Sequence, residues 1–366
     1  HYYQPAWTLV GAGTYDYDKT GKPMKEVIPK NVQWIKDRAT HIDPDLKSVR
    51  TSSHGEILYD YLVIAPGLVM APELIEGLPE ALDKGVVCSN YTDPEHTWEV
   101  IQNFKGGNAV FTQPSTPIKC GGAPQKIAYL AADYFKKNDL DKKSNVIFAT
   151  PGSVIFGIDP IRETLESVLK RYDIDFKPLH SPFKIDAEKQ IIYFKDKSNK
   201  TDDFNSVVEI PYDMLHLAPP QAAPEFIRSS KLSNDNGWLK VDIHSLQHED
   251  YPSIYGLGDI ADLPTAKTGA AIRKQVPVLV DNILKMINGN VPDNKGYHGY
   301  SSCPLVTGYG KMVLAEFDYD SNFIPDPKLK QLLIFNSDKE HWRLWMLKKY
   351  GLPYLYWNKM LKGVNV

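Results

Sequence analysis

The sequence predicts an α/β fold organised around a parallel sheet, and three stretches carry that prediction. Asn108-Ala109-Val110-Phe111-Thr112 is an apolar run of strand length, followed after a loop by Cys120-Gly121-Gly122-Ala123-Pro124 and a helical stretch to about Phe135. Asn145-Val146-Ile147-Phe148-Ala149 and a helical stretch from Pro160 to Arg171 repeat that order, with Ile161, Leu165, Val168 and Leu169 spaced along one helix face. Ser253-Ile254-Tyr255-Gly256-Leu257-Gly258-Asp259 is a third strand, ending in Gly-Asp ahead of a helix over about 268–287. Strands that alternate with helices pair in parallel, because the intervening helix carries the chain back to the same end of the sheet.

The remaining elements follow from turn residues and periodicity. Strands are expected at 32–35 and at 58–65, the second stopping at Pro66-Gly67. Alternation and polar turns over about 176–211 predict hairpins, and 214–218 returns as a strand before Pro219-Pro220. Pro277 is expected to kink or break the helix over 268–287. Ser337-x-x-Glu340 has the form of a capping box ahead of a short aromatic helix.

With 366 residues the chain suits two or three domains. Its net charge of −3, with Lys and Arg scattered among nearly equal Asp and Glu, gives no electrostatic case for nucleic acid. Cys88, Cys120 and Cys303 are too few and too far apart for a disulfide framework or a zinc site, so no metal is expected and any cysteine role is chemical. No apolar run reaches the eighteen residues of a membrane-spanning helix. His1-Tyr2-Tyr3-Gln4-Pro5 has neither the charged start nor the apolar stretch of a targeting segment, so the chain is expected to open within a domain.

Asp259, after a glycine at a strand end, suits hydrogen bonds from sugar or ribityl hydroxyls, although a helix-capping aspartate has the same local sequence. The helix start around Thr268-Gly269-Ala270-Ala271-Ile272 offers unpaired N–H groups and a dipole that favour an anionic ring. Cys120, just before a helix and flanked by Lys119 and Lys126, is placed to ionise readily; a small buried hydrophobe is the alternative. Gly11-Ala12-Gly13 lacks the third glycine of a dinucleotide fingerprint and reads as a loop. Cys88 reads as structural.

Tyr59-Asp60-Tyr61-Leu62-Val63-Ile64-Ala65-Pro66-Gly67, with the later Gly-Asp, resembles flavoproteins built from two dinucleotide-binding domains, with Pro66 where many relatives have threonine. Tyr3-Gln4-Pro5-x-Trp7-Thr8-Leu9-Val10-Gly11-Ala12-Gly13, Lys119-Cys120-x-Gly122-Ala123-Pro124-Gln125-Lys126 and Ser302-Cys303-Pro304-Leu305-Val306-Thr307-Gly308-Tyr309 narrow this. Together they closely resemble the mitochondrial sulfide:quinone oxidoreductases, over nearly all of the chain. The resemblance implies two Rossmann-like, FAD/NAD(P)-binding domains, with the first βαβ unit and its glycine fingerprint expected upstream of His1. It divides the chain into the remainder of the FAD-binding domain (1–85), a second dinucleotide-binding-like domain (86–220), a return to the first (221–295) and a carboxy-terminal domain (296–366).

The resemblance further implies that Cys120 and Cys303 are catalytic and hold a sulfur bridge. Hydrogen sulfide attacks it, leaving a persulfide on Cys303 and, on Cys120, a thiolate that stacks against and adds to the flavin. FAD passes the electrons to ubiquinone, and glutathione, sulfite or cyanide removes the sulfur. FAD contacts carry over to Gln4, Ala39, Gly67, Asp259, Gly269, Ala270, Ala271 and Ile272. The aromatic and basic tail, Trp342, Arg343, Trp345, Lys348, Lys349, Tyr350, Tyr354, Tyr356, Trp357, Lys359 and Lys362, suits an amphipathic attachment to a membrane surface, here the mitochondrial inner membrane. A type II NADH dehydrogenase is disfavoured because Lys119 and Cys120 stand where a pyrophosphate needs glycine. A non-catalytic sulfur-binding or assembly protein without FAD is the alternative from outside enzymology.

Overall fold

Four short, mainly apolar runs and one polar edge strand form the central sheet of a computed structural model that describes residues 1–198, 206–292 and 296–364. The strands lie in the order Val87–Cys88, Met214–Leu217, Gly107–Thr112, Ser144–Ala149, Asp175–Lys177, all parallel. The side chains of the first four are mainly apolar on both faces because both faces are covered. On one side lie the helices Ala123–Lys137 and Asp159–Arg171, whose Ile127, Leu130, Ile161 and Leu165 pack with Phe111 and Phe148. On the other lies an antiparallel sheet of His180–Asp186, Ile191–Asp196 and Val207–Pro211, whose Ile185, Ile192, Phe194 and Ile210 cover Val110, Ile147, Leu215 and Leu217.

A second parallel pair, Leu62–Ile64 with Ile254–Gly256, ends beside Gly67 and Asp259. Behind it the helix Gly269–Ile287 packs Leu279 into a separate apolar cluster with Ile64, Leu239 and Tyr255. The hairpin Ser301–Gly308/Lys311–Phe317 leans on the Ala123–Lys137 helix and is tied to it where the Tyr309 amide donates to the Asp133 carboxylate, 2.7 Å away.

Four local expectations are corrected. Residues 32–35 form no strand: Val32 and Trp34 are exposed, and the strand falls instead at Ala39–Asp43, where Ser48–Thr51 supplies an antiparallel partner. The run over 58–65 is two strands. Glu56–Leu58 belongs to that antiparallel sheet and Leu62–Ile64 to the parallel pair, and Tyr59 to Tyr61 turn the chain from one partner to the other. The helix over 268–287 is not broken at Pro277 but runs on to Ile287, with Pro277 exposed on its outer side. Ser337 and Glu340 do not form a capping box. His341 caps the Trp342–Met346 helix through its ring, 3.1 Å from the Arg343 amide, while Glu340 is drawn into a two-pronged ion pair with Arg171 at 2.5 and 2.7 Å.

Candidate active site

The loops that leave the carboxyl ends of the central strands converge on one place, the usual position for a site on an open parallel sheet. The Gly107–Thr112 strand runs into the loop that carries Cys120, and Gly122 precedes the Ala123–Lys137 helix, with Pro124 in its first turn where no N–H is needed. Cys303 arrives from the hairpin, paired across it with Ala315. Two thiols remote in sequence thus face one another closely enough to hydrogen-bond. Gly122 makes that approach possible: a Cβ there would lie 2.6 Å from the Cys303 Sγ and 2.7 Å from Leu305 Cδ2.

Charge distinguishes the pair. Lys126, one turn into the helix and 2 % exposed, donates through Nζ to the Cys120 Sγ at 3.1 Å. The Cys303 thiol and the Lys126 ammonium hold the Cys120 pKa well below the ordinary thiol range, against the opposing effect of burial. Cys303, beside that thiolate and buried in the apolar cluster, is pushed well above it. A second cation, Lys348, enters from a π-helical turn, Leu347–Gly351; its Nζ donates to the Pro5 carbonyl at 2.9 Å, and burial with the nearby Lys126 lowers its pKa to about 7. The tail expectation is therefore corrected for this lysine, which is 3 % exposed. Trp345 is also buried, whereas Trp342, Tyr350 and Tyr354 are exposed and Tyr356 packs on His1 and Tyr3.

Cys120 itself has φ +51°, in the left-handed region that a side chain resists, a conformation costing of order 1–3 kcal/mol unless its surroundings impose it. Its amide donates to the Lys267 carbonyl at 2.8 Å, and its carbonyl accepts from Ala123 N at 2.8 Å and from the Tyr91 hydroxyl at 3.0 Å. The Lys119–Lys267 bridge thereby seats the cysteine turn against the segment that leads into the Gly269–Ile287 helix.

That segment carries most of the residues expected at a flavin. Thr268 caps the helix by accepting from Ala271 N, and its hydroxyl meets Ser301 at 2.8 Å. Gly269 has open space where a side chain would stand, as do Gly121 and Gly67, and Gly67 also has φ +72°. Asp259 is half-buried, its pKa raised by burial and opposed by Lys267 and Lys119, and among the described residues no protein donor bonds its carboxylate. A half-buried acceptor beside glycine-lined space fits the ribityl and ring portion of FAD. Gln4 joins this group by accepting from Lys119 Nζ at 2.7 Å, so that lysine does not reach the thiols as its sequence position suggested. Ala39 begins the small antiparallel sheet, and no hydrogen bond or strand pairing among the described residues links it to the others. Tyr91 and Lys348 had no signal in the sequence, because each reaches the centre from a separate element.

No protein-family model matches the chain. It is 41 % identical over 367 residues to the mitochondrial sulfide:quinone oxidoreductase of Mus musculus, spanning 99 % of this chain and 79 % of that protein. The chain belongs to the mitochondrial sulfide:quinone oxidoreductase family. The sulfide:quinone oxidoreductase structure from Aquifex aeolicus shares the fold with a TM-score of 0.78 at 21 % identity, covering 99 % of this chain and 83 % of that one. A chain of the Tetrahymena thermophila mitochondrial ATP synthase structure matches with a TM-score of 0.83 at 23 % identity, covering 99 % and 87 %. Within the sulfide:quinone oxidoreductase family, then, the same fold brings Cys120, Cys303 and Lys126 together here.

Proposed function

We propose that the chain oxidises hydrogen sulfide at Cys120 and Cys303 and delivers the electron pair through FAD to ubiquinone. The observation that carries this reading is the pair itself: two thiols in contact, one ionised by Lys126 and the other kept protonated. In the oxidised protein the two sulfurs are linked. HS⁻ attacks the Cys303 sulfur, forming a new S–S bond there and breaking the link, so that Cys120 leaves as a thiolate, stabilised by Lys126 at 3.1 Å. A low-pKa leaving thiol speeds that displacement, which is why Cys120 and not Cys303 is the leaving sulfur.

Once the outer sulfur has been removed, the Cys120 and Cys303 sulfurs link again and give up two electrons, which bound FAD would take up and supply to the quinone. Gln4, Gly67, Asp259 and the Gly269–Ile272 helix start would hold it, Asp259 accepting from ribityl hydroxyls and the helix dipole favouring negative charge on the ring. A soluble nucleophile such as glutathione, sulfite or cyanide removes the sulfur from Cys303. Cys303 is only 3 % exposed, so this transfer requires a path to be opened to its sulfur.

The pairing of Leu62–Ile64 with Ile254–Gly256 inside one apolar cluster supports uniting 1–85 with 221–295, whereas 86–220 and 296–366 share a single apolar cluster that also takes in Leu9 and Ala12. No described helix is long and apolar enough to cross a membrane. Exposed Leu332, Leu333, Phe335, Trp342, Tyr350 and Tyr354, with Arg343 and Lys349 among them, support peripheral attachment to the mitochondrial inner membrane and delivery of quinone from it. The test is sulfide-dependent reduction of a short-chain ubiquinone by the FAD-loaded protein. Cys120→Ser and Cys303→Ser should each abolish it, and full activity in either variant would overturn the reading.

A further inference from the structure

The Cys120 turn is held in a conformation that a cysteine does not choose, and its carbonyl is held from two sides. Ala123 N is local and comes with the helix start. The second donor, the Tyr91 hydroxyl at 3.0 Å, comes from the loop after the Val87–Cys88 strand, on a different element of the sheet. Tyr91 is 6 % exposed and fixed at both ends: its amide donates to the Ser89 hydroxyl at 3.2 Å, and its ring packs with Ala123, Ala218 and Cys120. Burial, with the nearby sulfurs of Cys120 and Cys303, holds its phenol far above the ordinary range, so the hydroxyl keeps its proton at neutral pH.

We propose that Tyr91 is a positioning residue for sulfide oxidation: its hydroxyl locks the left-handed turn at Cys120 so that the Cys120 sulfur meets both Lys126 and Cys303. Without it, only the bond from Ala123 N to the carbonyl and the bond from the Cys120 amide to Lys267 oppose the backbone preference of Cys120, and the turn relaxes toward ordinary φ values. The sulfur then swings away from the ammonium that ionises it and from the sulfur it must link to. The proposal rests on the reading of Cys120 and Cys303 as the sulfur-bearing pair, and it adds to that pair a residue from a third element.

Tyr91→Phe in the full chain tests it, because only the hydroxyl is removed and the ring still fills its place. Two readouts are needed. One is the rate of iodoacetamide alkylation at half-exposed Cys120 across pH 5 to 9, assigned by peptide mass. The other is the equilibrium of the Cys120–Cys303 link in a glutathione redox buffer, counted as free thiols. With circular dichroism and melting temperature close to the parent, Y91F should raise the apparent pKa of Cys120. It should also weaken both low-pH alkylation and the link by about three- to tenfold, the range one ordinary hydrogen bond permits. A parent-like pH profile and link equilibrium would overturn the proposal. An unfolded Y91F protein would also overturn it, since the hydroxyl would then be structural. Neither readout depends on sulfide turnover, so an active Cys120→Ser protein would break the functional reading alone.

Discussion

Cys88 ends an edge strand of the parallel sheet and Cys120 lies in the loop after a central strand of it, yet their surroundings make opposite reagents of them. Cys88 is fully buried in an apolar cluster with Ile101, Phe104 and Phe111, and the nearest help, the Thr97 hydroxyl, is outweighed by burial, so its thiol is pushed far above the ordinary range. Its cross-strand partner His216 is likewise buried and pushed down to about 3, a neutral ring bonded to Asn90. Cys120 is partly exposed, and beyond that it has an ammonium at 3.1 Å and the Cys303 thiol beside it. The difference shows that one close cation and one proton-bearing neighbour, not exposure alone, decide which cysteine is ionised.

The comparison breaks most visibly by exchanging sulfur for oxygen. Cys120→Ser and Cys303→Ser should reduce sulfide-dependent quinone reduction to background, while Cys88→Ala leaves it at the parent rate in the same assay. Lys126→Met should make Cys120 resemble Cys88 in part. Loss of a charged hydrogen bond worth about 1.5–3 kcal/mol raises the thiol pKa by roughly one to two units, read from the pH profile of alkylation.

Gly122→Ala places a methyl group against Cys303 and Leu305, and overpacking of this kind costs about 1–3 kcal/mol. A lowered melting temperature together with a weakened Cys120–Cys303 link would show that the contact needs glycine. A parent-like link would show that the hairpin can yield.

Lys348 gives a smaller and distinctive effect. Below pH 7 it is charged and supports the Cys120 thiolate; above pH 7 the folded protein releases its proton and that support is withdrawn. The alkylation profile should carry a shallow step near pH 7 that opposes the usual rise of thiolate with pH, and Lys348→Met should erase it. The folded lysine has the lower pKa, so the unfolded chain binds more protons above pH 7. This group's contribution to stability therefore rises from about pH 7 toward the ordinary lysine pKa, and falls as pH drops. Smallest of all, Cys88→Ala should cost stability of about 1 kcal/mol, checked by denaturant unfolding.

How far the sequence reached depended on whether the signal was local. The strands at Gly107–Thr112 and Ser144–Ala149 and the Asp159–Arg171 helix face were visible as runs of apolar residues with their own periodicity. The start of the Gly269–Ile287 helix was visible for the same reason, because Thr268 caps it within one turn. The break after Leu58 was not, since Tyr59 and Tyr61 are good strand residues, Asp60 alone does not mark a break, and only the change of partner ends the pairing. Ser337 and Glu340 were misread because Arg171, far away in the chain, outcompetes a local cap for the carboxylate.

The sequence by itself determined the parallel α/β plan, the two cysteine motifs and Lys126 one turn beyond Cys120, because each is written within a few residues and governed by helix geometry and strand period. Tertiary structure alone decided that Cys303 meets Cys120, that Lys348 leaves the basic tail for the buried centre, and that Tyr91 grips the Cys120 carbonyl. Those contacts join separate strands, a hairpin and a π-helical turn, and the burial that shifts their proton affinities exists only once the layers have closed over them.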